Sequence, residues 1–470
     1  MAGGSWRVEL PVREAPALYP LPPKYRVKVR KLKLLALLIR EALHYRFNRR
    51  VVLSRPCIYG VFSGRLGGFR PRHDKCVACM RCKQEYPHVI EDIAPDPEFL
   101  RLGDSYLTPE IIWTINREAT TGGDITRGMG YRGPFSGPGF DAIWTDMSEI
   151  VRPTRHGKLD VEYISTRVEI GSLPVHLDGQ LIGSWKARLL SCNVPILFDC
   201  PPPGAMTGQL VSALCEAAER AGTYALLPWP AMQRSSPSPR GTRAWPCVSA
   251  REELPQARAQ ALELMPRAAG LLPELRPEFD GLLVQRLPFS EGFERAMLEA
   301  VEHGADAIHL CADYHGRGLG ALSDRPVSEL IRRAHLRLVE ANIRDRATLI
   351  VSGGIVRAEH VIKAILLGAD LVAIDTAALA ALQLYPIGEA RKPDEATFRR
   401  RSFPEEWGAQ RLTNLLNSWR EQMIEIMSAM GIRDVRRLRG EVGRAMFNEL
   451  EEEFLKKYIG GELDAEGIAP

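Results

Sequence analysis

Thr348–Leu379 reads TLIVSGGIVRAEHVIKAILLGADLVAIDTAAL, and this stretch decides the fold. A short β-type apolar run ends in Ser352-Gly353-Gly354. A helical pattern follows from about Ala358, then a Gly-Ala-Asp turn and a second apolar run, Leu371–Ile374. That run ends in Asp375-Thr376-Ala377, ahead of another helical start. Glycines at the end of a strand let an anion approach the backbone closely, and amides at a helix start point at it. In phosphate-binding barrels the last two strand ends build such a site. The amides of Gly353, Gly354, Thr376 and Ala377 are therefore candidate phosphate donors, with Ser352 beside them. The motif alone does not choose between FMN and a sugar phosphate, and tight turns without a ligand would read the same way. Asp375 would repel a phosphate unless its carboxylate points away.

Outward from this stretch, short apolar runs alternate with amphipathic segments. The runs are Ile196–Phe198, Tyr224–Leu227, Trp245–Ser249, Gly281–Gln285, Ala307–Cys311, Thr348–Ser352 and Leu371–Ile374. The segments between them include Gln209–Ala221, Leu254–Met265, Phe293–His303, Val327–Ala341 and Ala358–Leu367. Such alternation implies parallel strands with crossover helices. The expected fold is α/β, a (β/α)8 TIM-type barrel over residues 191–385. Its eighth strand lies near residues 268–275 or is degenerate; a doubly wound open sheet is the alternative. Residues 230–242, PAMQRSSPSPRGT, form a polar loop on the active face. Residues 386–470 form a charged helical extension, with helix faces at Ile424–Met430 and Val435–Leu438 around Gly431. Residues 104–190 form an irregular covering segment with a short strand pair near Val161–Val168.

Cys76, Cys79 and Cys82 form C-x-x-C-x-x-C inside residues 56–103. A loop of this spacing wraps three thiolates around one iron–sulfur cubane. The ferredoxin pattern continues with three residues, a Cys and a Pro. Here Pro87 is retained but Tyr86 replaces the fourth cysteine. The cluster is then three-iron (3Fe-4S), or four-iron (4Fe-4S) with Cys57 as a remote ligand. A zinc site using Cys57 or His73 is the other metal reading, and a metal-free loop remains open.

The chain has 62 basic and 58 acidic residues among 470, a balance that argues against nucleic-acid binding. The nine cysteines show metal spacing and not a disulfide framework. The first residues show no secretory pattern, and the longest early apolar run, Leu34–Ile39, falls well short of a span. A cytoplasmic protein is expected. Residues 1–55 form a Pro-rich arm and then a basic helix within residues 26–50, where Leu32, Leu35, Ala36, Ile39 and Leu43 recur at helical spacing. That helix either docks on the body with a solvated basic face or makes a peripheral membrane or subunit contact.

SGGIVRAEHVIKAILLGADLVAIDTAAL resembles the last two barrel strands of the FMN domain of glutamate synthases. EANIRDRATLIVSGG, ADYHGRGLGAL, EYISTRVEIG and LLNSWREQMIEIMSAMGIRDVRRLRG resemble other parts of the same domain, over roughly residues 155–440. RPCIYGVFSGRLGGF and CVACMRCKQEYP resemble the start of stand-alone glutamate synthase-related proteins. The resemblance implies FMN, an iron–sulfur cluster and redox chemistry on the carbon–nitrogen bond of an amino or imino acid. It also implies a redox partner, either ferredoxin-like or an NAD(P)H-oxidising subunit.

Several motifs depart from the family. No glutaminase nucleophile follows Met1. The family's barrel lysine is replaced in Leu283-Val284-Gln285-Arg286-Leu287, with Arg286 in its place or Gln285 if the alignment shifts by one. Arg286 keeps a cation that could stabilise a reduced flavin. The turn after the first strand becomes Pro203-Gly204-Ala205-Met206-Thr207, so Gly204 and Met206 are candidate flavin contacts. His315, after the sixth-type strand, is a candidate acid–base residue or a structural one. No Gly-x-Gly-x-x-Gly fingerprint follows a strand, which favours FMN over FAD. The competing expectations are a flavin and iron–sulfur oxidoreductase, a non-catalytic electron-transfer or scaffold subunit, and a flavin-free phosphate-binding barrel enzyme.

Overall fold

The computed structural model describes residues 8–48, 51–52, 57–64, 67–123, 140, 143–145, 164–172, 188–234, 243–254 and 259–447. These fall into two compact units: residues 17–104, and all the remaining described residues.

The larger unit is a closed barrel of eight parallel strands. They are β1 (Ile196–Phe198), β2 (Ala225–Pro228), β3 (Ala244–Val248), β4 (Ala261–Leu264), β5 (Leu282–Pro288), β6 (Ala307–Cys311), β7 (Thr348–Ser352) and β8 (Leu371–Ile374). Each strand pairs with the next, and β8 closes on β1 through Val372 beside Ile196 and Ile374 beside Phe198. Strands this short and apolar are buried on both faces, inside by the barrel filling and outside by helices. The crossover helices include α1 (Gly208–Ala221), α2 (Trp229–Arg234), α3 (Leu272–Leu275), α4 (Phe293–Glu302), α5 (Val327–Glu340), α6 (Ala358–Leu367) and α7 (Thr376–Ala381). Thr207 caps α1, its hydroxyl accepting from the Leu210 amide at 3.2 Å. Gly222, at φ 66°, ends the helix in the left-handed conformation that a side chain disfavours.

The eighth strand is β4, which lies inside the segment expected to be the helix Leu254–Met265. Residues 268–275, the expected strand, are helical instead, as part of Pro266–Leu271 and then α3. Glu263 explains both differences. Placed inside Ala-Leu-Glu-Leu, it reads as a polar helix face, yet it is completely buried among barrel charges. In the 230–242 loop, Trp229–Arg234 is the helix α2, and residues 235–242 lie outside the described residues.

The strand pair expected near Val161–Val168 is Val168–Ser172 paired antiparallel with Arg188–Cys192; residues 161–163 lie outside the described residues. This pair closes the N-terminal end of the barrel, where the Gly171 amide donates to Thr348 Oγ1 at 2.9 Å. After the barrel, a 25-residue helix, α8 (Glu405–Ala429), packs against α1 and the helix Pro109–Thr121. Its fully buried Arg411 donates to Asn116 Oδ1 at 2.9 Å and to the Ala15 carbonyl at 2.8 Å. No helix among the described residues is long and apolar enough to cross a membrane.

In the smaller unit, Tyr25–Val29 pairs antiparallel with Ile90–Pro95, and the helix Lys31–His44 packs beside them. The strand occupies the start of the segment expected to be all helix, because Arg26-Val27-Lys28-Val29 alternates with period two. Its core includes Val27, Leu34, Leu37, Phe62, Ile90 and Cys82. The face of the helix that is buried is Leu34, Leu37 and Glu41. The stripe expected from spacing, Leu32, Leu35, Ala36, Ile39 and Leu43, faces outward.

Candidate active site

The C-terminal ends of the barrel strands surround a cavity of about 830 Å3 lined by Cys200, Met206, Pro230, Met265, Arg286 and Pro393, among others. That volume lies within the range of ligand pockets. Its base is a charged cluster drawn from four strands. Arg286 on β5 donates through Nε to Glu263 Oε1 on β4 at 3.0 Å, and through Nη2 to Asp199, just past β1. His309 on β6 donates through Nδ1 to Glu263 Oε1 at 2.6 Å and through Nε2 to Ser352 Oγ on β7 at 2.9 Å. The Cys247 thiol on β3 donates to Glu263 Oε2 at 3.0 Å.

These contacts set the protonation states. Burial alone would raise Glu263, but Arg286 and His309 hold its carboxyl well below the usual range. Burial also opposes charge on His309, yet Cys311, Glu263 and Asp199 outweigh it and raise the imidazole to about 10. The cluster thus carries two carboxylates, Glu263 and Asp199, against two cations, Arg286 and His309. Glu263, His309 and Asp199 were not found by sequence reading. The available signal was a charged or titratable side chain inside a run otherwise wholly apolar.

The phosphate-site candidates lie at the same barrel end. Ser352 is engaged by His309. Gly353 and Gly354 both have left-handed backbone, at φ 94° and 73°. The faces where their side chains would be are filled by protein. A Cβ at Gly353 would meet the Ala312 and Asp313 carbonyls at 2.6 Å, and one at Gly354 would meet Gly316 Cα at 2.5 Å and Tyr106 Oη at 2.9 Å. The glycines thus serve close packing of two loops, as well as any approach by an anion. Tyr106 donates to the Gly354 carbonyl at 2.6 Å.

Asp375 folds back as the cap of α7, accepting from the Thr376 amide. Burial, then the charge of Asp199, pushes its carboxyl up to about 6. Asp375 therefore takes one of the four proposed phosphate donors. Ala377 follows inside α7, fully buried.

Three observations fit a polar ligand such as FMN. Thr376 Oγ1, Gln285 Oε1 and Tyr314 Oη are buried, and none has a hydrogen-bond partner among the described residues. A native fold seldom leaves such atoms unmatched. The Gln285 amide nitrogen donates to the Leu264 carbonyl at 3.1 Å, which turns its oxygen loose. Against these stands the Asp375 carboxylate at the α7 amide.

Met206 lines the cavity, and Gly204 is in the turn Pro203–Ala205 that frames it. His315 is not brought to this cavity. It stacks on Tyr106, with ring centroids 5.4 Å apart, and its Nε2 lies 3.8 Å from Glu389. This geometry favours the structural reading of His315.

In the smaller unit, Cys57, Cys76 and Cys79 lie near enough to Cys82 for their charges to act on it. Burial, and then the charges of Cys57, Cys76 and Cys79, push Cys82 up to about 11. Ala78 and Met80 have left-handed backbone, at φ 52° and 59°, so the loop curls around its own interior. Non-glycine residues held this way mark an over-determined loop. Tyr86 packs on the core of this unit. His73 Nδ1 accepts from the Val27 amide at 3.1 Å, which ties this ring to the strand.

Residues 300–433 match the family model described as the conserved region in glutamate synthase. The archaeal-type glutamate synthase (NADPH) of Thermotoga neapolitana is 37% identical over 153 residues, 30% of each chain. The archaeal glutamate synthase (NADPH) of Methanocaldococcus jannaschii is 35% identical over 150 residues, 29% of each chain. The chain thus spans less than a third of the length of these relatives. Among solved structures, a mandelate oxidase mutant with the monooxide FMN adduct is 16% identical, with TM-score 0.41, covering 64% of this chain and 88% of that one. A flavocytochrome b2 mutant with benzoylformate is 13% identical, with TM-score 0.44, covering 67% and 78%. Over residues 300–433, from β6 to α8, the chain is similar to the conserved region of glutamate synthases.

Proposed function

We propose that this chain is a glutamate synthase-like oxidoreductase that binds FMN at the barrel mouth and an iron–sulfur cluster at Cys57, Cys76, Cys79 and Cys82. It acts on the carbon–nitrogen bond of an amino or imino acid, as one part of a system with a redox partner, ferredoxin-like or NAD(P)H-oxidising. The observation that carries this reading is the glutamate synthase match over residues 300–433, a stretch that includes Thr376, whose buried Oγ1 has no hydrogen-bond partner among the described residues.

Thr376 and the backbone of Gly353 and Gly354 would hold the phosphate, and Gln285, Arg286 and Met206 would hold the ring system. FMN, when bound, supplies two-electron exchange with the substrate and one-electron exchange with the cluster. Arg286 supplies a fixed cation at the cavity wall, oriented by Glu263 and Asp199. The Tyr314 phenol, raised by burial and by Asp375 and Asp199, keeps its proton as a hydrogen-bond donor for a ligand.

Asp375 favours a second reading, a non-catalytic electron-transfer or scaffold subunit whose barrel no longer accepts a phosphate. A visible spectrum of anaerobically purified protein separates the two. Flavin bands on a broad cluster shoulder support the first, cluster absorption alone supports the second, and the absence of both chromophores overturns both.

A further inference from the structure

The helix Lys31–His44 has two apolar faces. One is buried, with Leu34 at 1% and Leu37 at 7% exposure. On the opposite face Leu32, Leu35, Ile39 and Leu43 are 85%, 45%, 53% and 65% exposed. They repeat at helical spacing, with exposed Ala36 between them, and Phe47 just beyond the helix is 71% exposed. Scattered exposed leucines need no explanation, but a continuous exposed stripe marks an interaction surface.

The charge around the stripe selects its occupant. Lys24 to Phe47 carries eight basic residues, Lys24, Arg26, Lys28, Arg30, Lys31, Lys33, Arg40 and Arg46, against one acidic residue, Glu41. Glu41 is buried and pairs with Arg40 at 3.5 Å, and Arg26 pairs with Asp96 at 2.6 Å, so the exposed Lys28, Arg30, Lys31, Lys33 and Arg46 carry most of the basic surface. A second copy of the chain meeting this stripe would bring the same cations within a Debye length, where they repel. An anionic surface would instead be attracted along the whole helix. From Leu32 to Leu43 the stripe spans roughly 16 Å at 1.5 Å per residue. An apolar stripe bordered by Lys and Arg matches a helix that lies in the plane of a bilayer interface.

We infer that this helix docks the protein on a membrane surface rich in anionic phospholipid, inserting Leu32, Leu35, Ile39 and Leu43 between headgroups while the flanking lysines and arginines meet phosphates. The contact is peripheral, and it does not depend on the barrel holding a flavin.

The test is flotation of the full chain with vesicles of phosphatidylcholine alone or mixed with phosphatidylglycerol. The expected result is binding to the mixed vesicles only, weakened at least tenfold by 0.5 M salt. The double variant Leu35→Ser, Ile39→Ser should lose binding at least tenfold with an unchanged far-ultraviolet circular dichroism spectrum, because both side chains are exposed. Lys31→Glu, Lys33→Glu should weaken it comparably. No flotation with either vesicle overturns the proposal, as does flotation that the serine variant retains. If the serine variant instead lowers the mass of a solution oligomer and vesicle binding is absent, the stripe is an interface between copies and the lipid reading fails.

Discussion

Arg286 Nε and Glu263 Oε1 meet at 3.0 Å inside the barrel, on neighbouring strands, with Glu263 wholly excluded from solvent. Asp199 takes the other side of the same guanidinium. Removing the arginine would leave two carboxylates in the interior with only His309 to balance them. We expect Arg286→Met to destabilise the protein by about 3–5 kcal/mol, the usual cost of breaking a buried ion pair from one side. Urea unfolding at pH 7 measures this. A loss under about 1 kcal/mol would mean that the cluster is not held by its charges.

The partner of Glu263 on the other side, His309, sets a pH dependence. Its folded pKa, about 10, lies above the ordinary value of 6.5. The stability it contributes is therefore fully present below pH 6.5 and is lost as pH rises through 10. Unfolding midpoints should fall between pH 7 and pH 10 by an amount worth a few kcal/mol at most. Glu263→Gln, which removes the countercharge, should flatten that slope and lower stability at pH 7. An equal slope in both proteins would show that His309 is neutral.

Asp375 gives a slope of the same sign, at lower pH. Its folded pKa, about 6, lies above the ordinary aspartate value of 3.8, so ionising it costs stability as pH rises through 6. Asparagine keeps the capping oxygen on the Thr376 amide without the charge. Asp375→Asn should match wild type near pH 4 and exceed it by on the order of 2 kcal/mol at pH 8, because each tenfold change in proton affinity is worth about 1.4 kcal/mol. The same variant should bind FMN more tightly at pH 8, since the repulsion at the α7 start is gone. Flavin content unchanged or reduced would show that Asp375 does not face the phosphate.

The cysteine loop gives an independent test. Cys79 is exposed, so Cys79→Ser should leave the fold intact while abolishing bound iron. Cys57→Ser should convert a four-iron signal in paramagnetic resonance into a three-iron one. If the wild type is already three-iron, Cys57 is a packed thiol. Zinc without iron in anaerobically prepared wild type would overturn the cluster.

The barrel was legible where a strand was mainly apolar. Ile196–Phe198, Ala307–Cys311, Thr348–Ser352 and Leu371–Ile374 have the expected bounds. β4 was not legible, since Glu263 gives it a helical pattern and only the arrival of Arg286 and His309 from other strands makes its burial possible. The helix Lys31–His44 was legible as a helix but not by face. Leucines occupy both sides of it, and no periodicity says which side meets a core. In the sequence, Gly353 and Gly354 point to an approach for phosphate. Their left-handed backbone is real, but the nearest atoms belong to a loop some forty residues earlier in the chain, which no local pattern announces.

Thr376 decides whether FMN belongs here. Its hydroxyl is buried at the first turn of α7 with no hydrogen-bond partner among the described residues, so removing it breaks no internal contact. Thr376→Val keeps the shape and deletes only the hydroxyl. In a barrel that binds no phosphate, that change relieves an unmatched polar atom and should leave stability equal or slightly higher. In a barrel that binds FMN, it removes a donor to the phosphate and should weaken flavin binding about tenfold, roughly the worth of one hydrogen bond to a charged group. The two outcomes are read on one sample, by flavin titration and by thermal unfolding with and without added FMN. A midpoint that rises with FMN in wild type and rises less in the variant supports the phosphate site. A wild-type midpoint indifferent to FMN would sink it, and Asp375 would then be the residue that closed the barrel.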